Sequence, residues 1–112
     1  MVIEPSTDEM VDAVVTFGRD LLMREDPSLG AREIPFATLL HTVNAWFTSQ
    51  EPTLRGILCT GTYQVRPEIV SGVNLIGIVA AAIRTHYGDQ IPVSSAVACL
   101  LNYGLTKFCA GR

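Results

Sequence analysis

The spacing of apolar residues is the feature that most restricts how this chain can fold. Between residues 36 and 47 the apolar positions are 36, 39, 40, 43, 46 and 47, which fall on one face of a helix. Residues 10–22 repeat the pattern, with apolar positions at 10, 11, 14, 17, 21 and 22. A period of three to four residues predicts amphipathic helices that bury one face each in a common core.

Capping and turn residues set the expected helix boundaries. The first helix begins at a capping box in which Ser6 accepts a backbone N–H and Glu9 reaches back, and it ends near Glu25, before an Asp-Pro pair. The second helix is expected from Phe36 to about Ser49, with Pro52 closing it, and the third from Pro67 to about His86, with Tyr87-Gly88-Asp89 as the terminating turn. The last helix follows IPVSS with Ser94 or Ser95 as its N-cap, and its apolar face includes Val93, Gly104 and Phe108.

The stretch TYQVR, residues 62–66, alternates polar and apolar positions and predicts a short β-strand before the third helix. The expected fold class is therefore mainly α, with four helices arranged as two helical hairpins and one strand at 62–66. The length of 112 residues predicts a single domain. Its two parts would be an acidic hairpin, residues 1–52, and a strand with a basic hairpin, residues 53–112.

Charge is divided unevenly along the chain. Residues 1–54 hold nine acidic and three basic residues, for a net charge of −6, whereas residues 55–112 hold two acidic and five basic residues, for +3. Such a division indicates an anionic partner for the basic half, although scatter in so short a chain produces it too. The halves also share a helix, loop, Ile-Pro and helix pattern, which duplication of a hairpin or coincidence explains equally well.

The three cysteines fit no metal-binding or redox motif. With an odd count and no signal peptide in the first ten residues, MVIEPSTDEM, we expect reduced thiols and a cytoplasmic protein. We expect no metal and no cofactor, because neither histidine has a second ligand at a suitable spacing. The apolar stretch Ile69–Ile83 is too short to span a membrane.

Enzyme signatures are missing from the sequence. It has no phosphate-binding loop, no nucleophile elbow, no zinc-protease helix and no dinucleotide fingerprint. We therefore expect a protein that is not an enzyme. The acids Asp8, Glu9 and Asp12 lie in the first turns of a helix, where solvated carboxylates complement the helix dipole. Cys99 is expected to belong to the core.

TYQVRPEIV and the later IPVSSAVACLLNYGL together resemble the ribbon-helix-helix family of DNA-binding regulators. The resemblance implies a homodimer in which the strand pairs with that of a second copy and enters the major groove. Thr62, Gln64 and Arg66 would then contact base edges. Ser94 and Ser95, at the start of the last helix, would contact a phosphate.

Two other interpretations compete with DNA reading. The strand at 62–66 can be a solvated edge strand or connector that binds nothing. The apolar composition and the Gly- and Ala-rich third helix also suit a helical adaptor or assembly protein that contacts protein partners. The expected partners are therefore DNA, a second copy of the chain, or another protein.

Overall fold

The computed structural model describes residues 2–28, 33–59 and 72–110. The expectation of four helices and a strand is wrong, because the described residues form five helices and no strand. The predicted strand at 62–66 itself lies outside the described residues. The helices are α1 (Asp8–Glu25), α2 (Phe36–Leu58), α3 (Gly72–Tyr87), α4 (Val93–Tyr103) and α5 (Leu105–Ala110).

The ends of α1 and the start of α2 follow local sequence signals. The N-cap of α1 is Thr7 rather than Ser6, and its hydroxyl accepts the Met10 N–H at 3.1 Å. Helix α1 ends at Glu25, as expected, and α2 begins at Phe36 directly after Pro35. Proline fits there because the N–H groups at a helix N-terminus have no partner inside the helix.

Helix α2 does not end near Ser49 but continues through Pro52 to Leu58. It thereby crosses the boundary at residue 52 that the sequence indicated between two hairpins. The apolar stripe explains the continuation, since Leu54 and Leu58 extend it and are completely buried. Burial of a leucine is worth about 1.5–3 kcal/mol, so two of them offset the cost of about 3 kcal/mol for an interior proline. Pro52 itself is exposed.

Replacing this proline tests whether α2 is continuous. We expect Pro52→Ala to raise the free energy of unfolding by about 1–3 kcal/mol, because a backbone hydrogen bond is restored in the helix interior. Urea unfolding followed by circular dichroism measures the change. A neutral or destabilising effect would mean that the helix ends before Pro52.

Glycines with positive φ angles separate the last three helices. Helix α3 ends at Tyr87, and Gly88 follows with φ 58°, as the sequence predicts for this turn. The expected last helix is in fact two helices, because Gly104, with φ 104°, ends α4 and α5 begins at the next residue. The N-cap of α4 is Pro92, so neither Ser94 nor Ser95 caps it as predicted.

Helix α1 lies between α2 and α4, while α3 and α5 both pack on α4 and α2. An aromatic group holds the centre: the Phe17 ring centroid lies 4.9 Å from that of Trp46 and 5.6 Å from that of Phe47. Trp46 also packs against Tyr87 at the end of α3, at 5.4 Å, and thus joins the core as predicted. The Tyr87 hydroxyl donates to Gln50 Oε1 at 2.9 Å, and burial raises the pKa of this phenol.

The N-terminal segment is fastened to α2. The Ile3 side chain is buried, its N–H donates to Asn44 Oδ1 at 2.7 Å, and the amide nitrogen of Asn44 donates back to the Ile3 carbonyl at 3.4 Å. At the other end of α1, an Arg24 guanidinium nitrogen donates to the Asp89 carbonyl in the turn after α3. Of the helices in the described ranges, none combines the length and apolar character needed to cross a bilayer.

Helices α1 and α2 come closest at Gly18. A Cβ placed there would lie 3.0 Å from both the Cβ and the carbonyl oxygen of Leu39. Because the obstacle includes backbone atoms of α2, rotation of a side chain cannot relieve it. Glycine at this position therefore sets the distance between the two longest helices, and with it the packing of the aromatic group beside it.

Adding one methyl group tests this contact. We expect Gly18→Ala to lower the free energy of unfolding by about 1–3 kcal/mol, although alanine is the better helix former, because the methyl group forces the two backbones apart. Gly56→Ala is the matched control: a Cβ there meets no described heavy atom within 4 Å, so we expect a gain of about 0.4–1 kcal/mol. Thermal or urea unfolding distinguishes a loss of stability in Gly18→Ala from a gain in Gly56→Ala. A stabilising Gly18→Ala would contradict the close contact.

Candidate functional site

Five residues were predicted to contact DNA, and three of them, Thr62, Gln64 and Arg66, lie outside the described residues. The other two predicted contacts, Ser94 and Ser95, are the second and third residues of α4. Ser94 is exposed and Ser95 is buried, at 8% exposure. Only the first of these hydroxyls is well placed to meet a phosphate.

The start of α4 faces an acidic part of α1. A groove of about 180 Å³ between the two helices is lined by Ser94 and Ser95 on one side and by Glu9 and Asp12 on the other. The N-terminus of a helix carries partial positive charge, so these carboxylates complement the dipole of α4. The same carboxylates repel a phosphate. The groove therefore suits contact between helices better than contact with nucleic acid.

Several basic side chains are engaged within the protein. Arg24 pairs with Asp20 at 2.7 Å, and Arg55 pairs with Glu51 at 2.6 Å. The Arg55 guanidinium also lies over the Phe108 ring, 5.6 Å from its centroid, and the Lys107 ammonium lies 4.5 Å from that of Tyr103. Of these side chains, Arg55 and Lys107 belong to the basic half, residues 55–112, and the pairing of Arg55 with Glu51 offsets one of its positive charges.

Neither histidine lies in a metal-binding arrangement. His41 is exposed, as expected from its position off the apolar stripe, and lines a groove of about 390 Å³ beside Trp46. His86 packs edge-on against Tyr87 with the ring centroids 4.7 Å apart. Within the described ranges, no three side chains of His, Cys, Asp or Glu are grouped so that they could hold a metal ion.

An open cleft of about 500 Å³ lies between the N-terminal segment and the α4–α5 junction. Glu4 lines one side, and Lys107 and Tyr103 line another, with Val2, Met10 and Asn102 completing it. Both charged side chains are exposed. Lys107 belongs to α5, so one wall of the cleft exists only while α5 is docked.

The most distinctive surface lies on α3. Two isoleucines there are exposed, Ile76 at 50% and Ile78 at 37%, and Gly77 and Ala81 are exposed beside them. A Cβ at Gly77 would meet no described heavy atom within 4 Å. Gly77, Ile78 and Ala81 lie on one side of the helix, and we call these three residues the α3 surface. Ile76 is about 200° of helix rotation away from Ile78 and lies on the other side. The sequence indicated only that this helix is rich in small residues. It did not predict exposure of the isoleucines, since that depends on where the neighbouring helices end.

The sequence did not predict the pairing of two cysteines. Cys59 and Cys109 form a disulfide with a Cα–Cα distance of 5.6 Å and a sequence separation of 50 residues, so the prediction of three reduced thiols is wrong. An odd cysteine count does not show which two of three pair. Cys99 is free and completely buried, as predicted, and burial raises the pKa of its thiol to about 12.

Loss of the disulfide should weaken the fold. We expect Cys59→Ser with Cys109→Ser to lower the free energy of unfolding by about 2–4 kcal/mol, because the unfolded chain is no longer constrained by a long closed loop. Chemical unfolding without reductant measures the difference, and Cys99→Ala, which keeps the disulfide, is the control for loss of a cysteine. Equal stability of the double variant and the parent chain would contradict the pairing.

No family model, curated protein or solved structure matches this chain. The resemblance to ribbon-helix-helix regulators therefore rests on the two sequence motifs alone. Among the described residues, α3 exposes two isoleucines, whereas α1 and α2 expose one large apolar side chain each.

Proposed function

We propose that the chain is a non-enzymatic helical interaction module that self-associates through the α3 surface. The observation that carries the proposal is the exposure of Ile78 beside Gly77 and Ala81. Reading of DNA by a paired ribbon stays a prediction, because residues 62–66 lie outside the described residues. The carboxylates of Glu9 and Asp12 beside the start of α4 do not favour the phosphate contact that it includes.

The periodicity of α3 separates a packed face from the α3 surface. Ile76 precedes Val79 by three residues and Ile83 by seven, so all three lie on the same face of the helix. Val79 and Ile83 are completely buried, whereas Ile76 is half exposed. Ile78 follows Ile76 by two residues, about 200° of helix rotation, so the α3 surface lies on the side turned away from the packed face. Covering an isoleucine stabilises a complex by up to about 1.5–3 kcal/mol.

Charge favours a second copy as the occupant. Residues 72–83 include no charged residue, although the chain has a net charge of −3 and α1 exposes Asp8 and Glu9. Two identical acidic molecules repel each other over most of their surfaces, and an uncharged helix face is where this repulsion is weakest. About a two-fold axis the same patch meets itself, and Gly77 and Ala81 give room for Ile78 of the second copy.

The surface area that α3 can bury limits the affinity expected for self-association. Helix α3 has 16 residues, so it is about 24 Å long. One face of a single helix of that length offers less than the roughly 800 Å² per partner that stable complexes bury. We therefore expect weak and reversible association, with a dissociation constant of about 10 µM or higher.

Sedimentation velocity over a range of about 10 µM to 1 mM tests the proposal. The average mass should rise toward that of a dimer as concentration increases, and Ile78→Ser should remove the rise. Phe36→Ser is the matched control, since Phe36 is 38% exposed and lies on α2. A monomer at every concentration, or equal loss in both variants, would overturn the proposal. Circular dichroism confirms that each variant keeps its helices.

The disulfide changes the proposed location. The expectation of a cytoplasmic protein rested on reduced thiols, and Cys59 and Cys109 are paired. Disulfides persist in oxidising compartments and are reduced by the thiol pools of the cytoplasm. We therefore place the oxidised form of the chain in an oxidising environment.

A further inference from the structure

The contacts of α5 point to a second property, independent of the α3 surface. We infer that the Cys59–Cys109 disulfide is a redox-operated clasp, which holds α5 against the C-terminal end of α2 and releases it on reduction. Cys59 is the residue directly after α2, and Cys109 is the fifth residue of α5. The bond therefore joins the ends of two elements that are far apart in sequence.

Helix α5 makes few other contacts among the side chains that the structure describes. It has six residues, and an isolated helix of this length is unstable in water. Its main packing contribution in the described structure is Phe108, which is 1% exposed and lies beneath the Arg55 guanidinium. Gly104, which precedes α5, has a φ of 104° and forms a natural pivot. Without the covalent link, the burial of Phe108 and the contact of Lys107 with Tyr103 are the main described interactions that oppose the chain entropy of this segment.

The docked state also carries an unfavourable polar contact. The Nε atom of Arg55 is buried and has no hydrogen-bond partner in the described structure. A buried N–H without an acceptor is costly because it has lost its water. Movement of Phe108 away from Arg55 lets water reach this group. The disulfide therefore offsets a force that favours release of α5.

The two cysteines differ in exposure, which gives the reaction a direction. Cys59 is buried, at 6% exposure, whereas Cys109 is partly exposed. A thiolate of a small dithiol attacks Sγ of Cys109, the S–S bond breaks, and Cys59 leaves as a thiolate that takes up a proton. The second thiolate of the reagent then attacks the mixed disulfide and frees Cys109. Two electrons pass to the protein, and the dithiol becomes a cyclic disulfide.

Release of α5 has a structural consequence at the open cleft. Lys107, a residue of α5, lines this cleft together with Tyr103 and Glu4. When α5 leaves, the cleft loses its basic wall and the surface of α2 around Arg55 is uncovered. The oxidised protein keeps a cleft with both charges, and the reduced protein presents an apolar and basic surface instead.

Hydrogen exchange of the whole chain, with and without dithiothreitol, tests the clasp. After reduction, amides of residues 105–110 should exchange at nearly the rate of an unstructured peptide, while α1 amides stay protected by more than about 100-fold. The Phe108 N–H, which donates to the Gly104 carbonyl at 2.9 Å, is the most direct probe. Retained protection of α5, or simultaneous loss in α1 and α5, would overturn the inference.

Two variants complete the experiment. Cys59→Ser with Cys109→Ser should show rapid exchange in residues 105–110 without reductant and no response to dithiothreitol. Cys99→Ala should respond as the parent chain does, since Cys99 is buried and unpaired. A response to dithiothreitol in the double serine variant would mean that the effect does not arise from this disulfide, and the clasp would be rejected.

Discussion

The close approach of α1 and α2 at Gly18 is the constraint on which the rest of the fold depends. With no side chain at this position, the two helices come near enough for Phe17 to reach both Trp46 and Phe47. Trp46 in turn contacts Tyr87, which connects the last turn of α3 to the same group. The separation of two helix backbones thus sets how three helices meet in the core.

The C-terminal end of α2 is held by different physics. Helix propensity opposes its continuation through Pro52, and burial of Leu54 and Leu58 overcomes that preference. Its last residues then present Cys59 to α5. Hydrophobic burial fixes the position of the helix end, and this position allows Cys59 to form the disulfide with Cys109. The same end of α2 thus holds an unfavourable interior proline, Pro52, and the covalent link from Cys59 to α5.

The two proposals rest on different physical causes. Self-association through the α3 surface is stabilised by burial of apolar area that the described helices leave exposed. The clasp works because α5 is too short to be stable alone and borders the buried Nε of Arg55. Neither property was visible as a motif: the small residues of α3 indicated close packing without a partner, and the spacing of the cysteines indicated no pairing. Both depend on distances between segments that lie far apart in sequence.

Local sequence determined the helices of this protein more than their arrangement. Apolar periodicity located α1 and α2, and short-range signals gave the end at Glu25, the start at Phe36 and the turn at Gly88, because they act over a few residues. Tertiary structure decided the passage of α2 through Pro52, the division at Gly104, the Cys59–Cys109 pair and the exposure of Ile76. Each of these depends on what packs against a segment, and burial against a distant helix exceeds local propensity in energy.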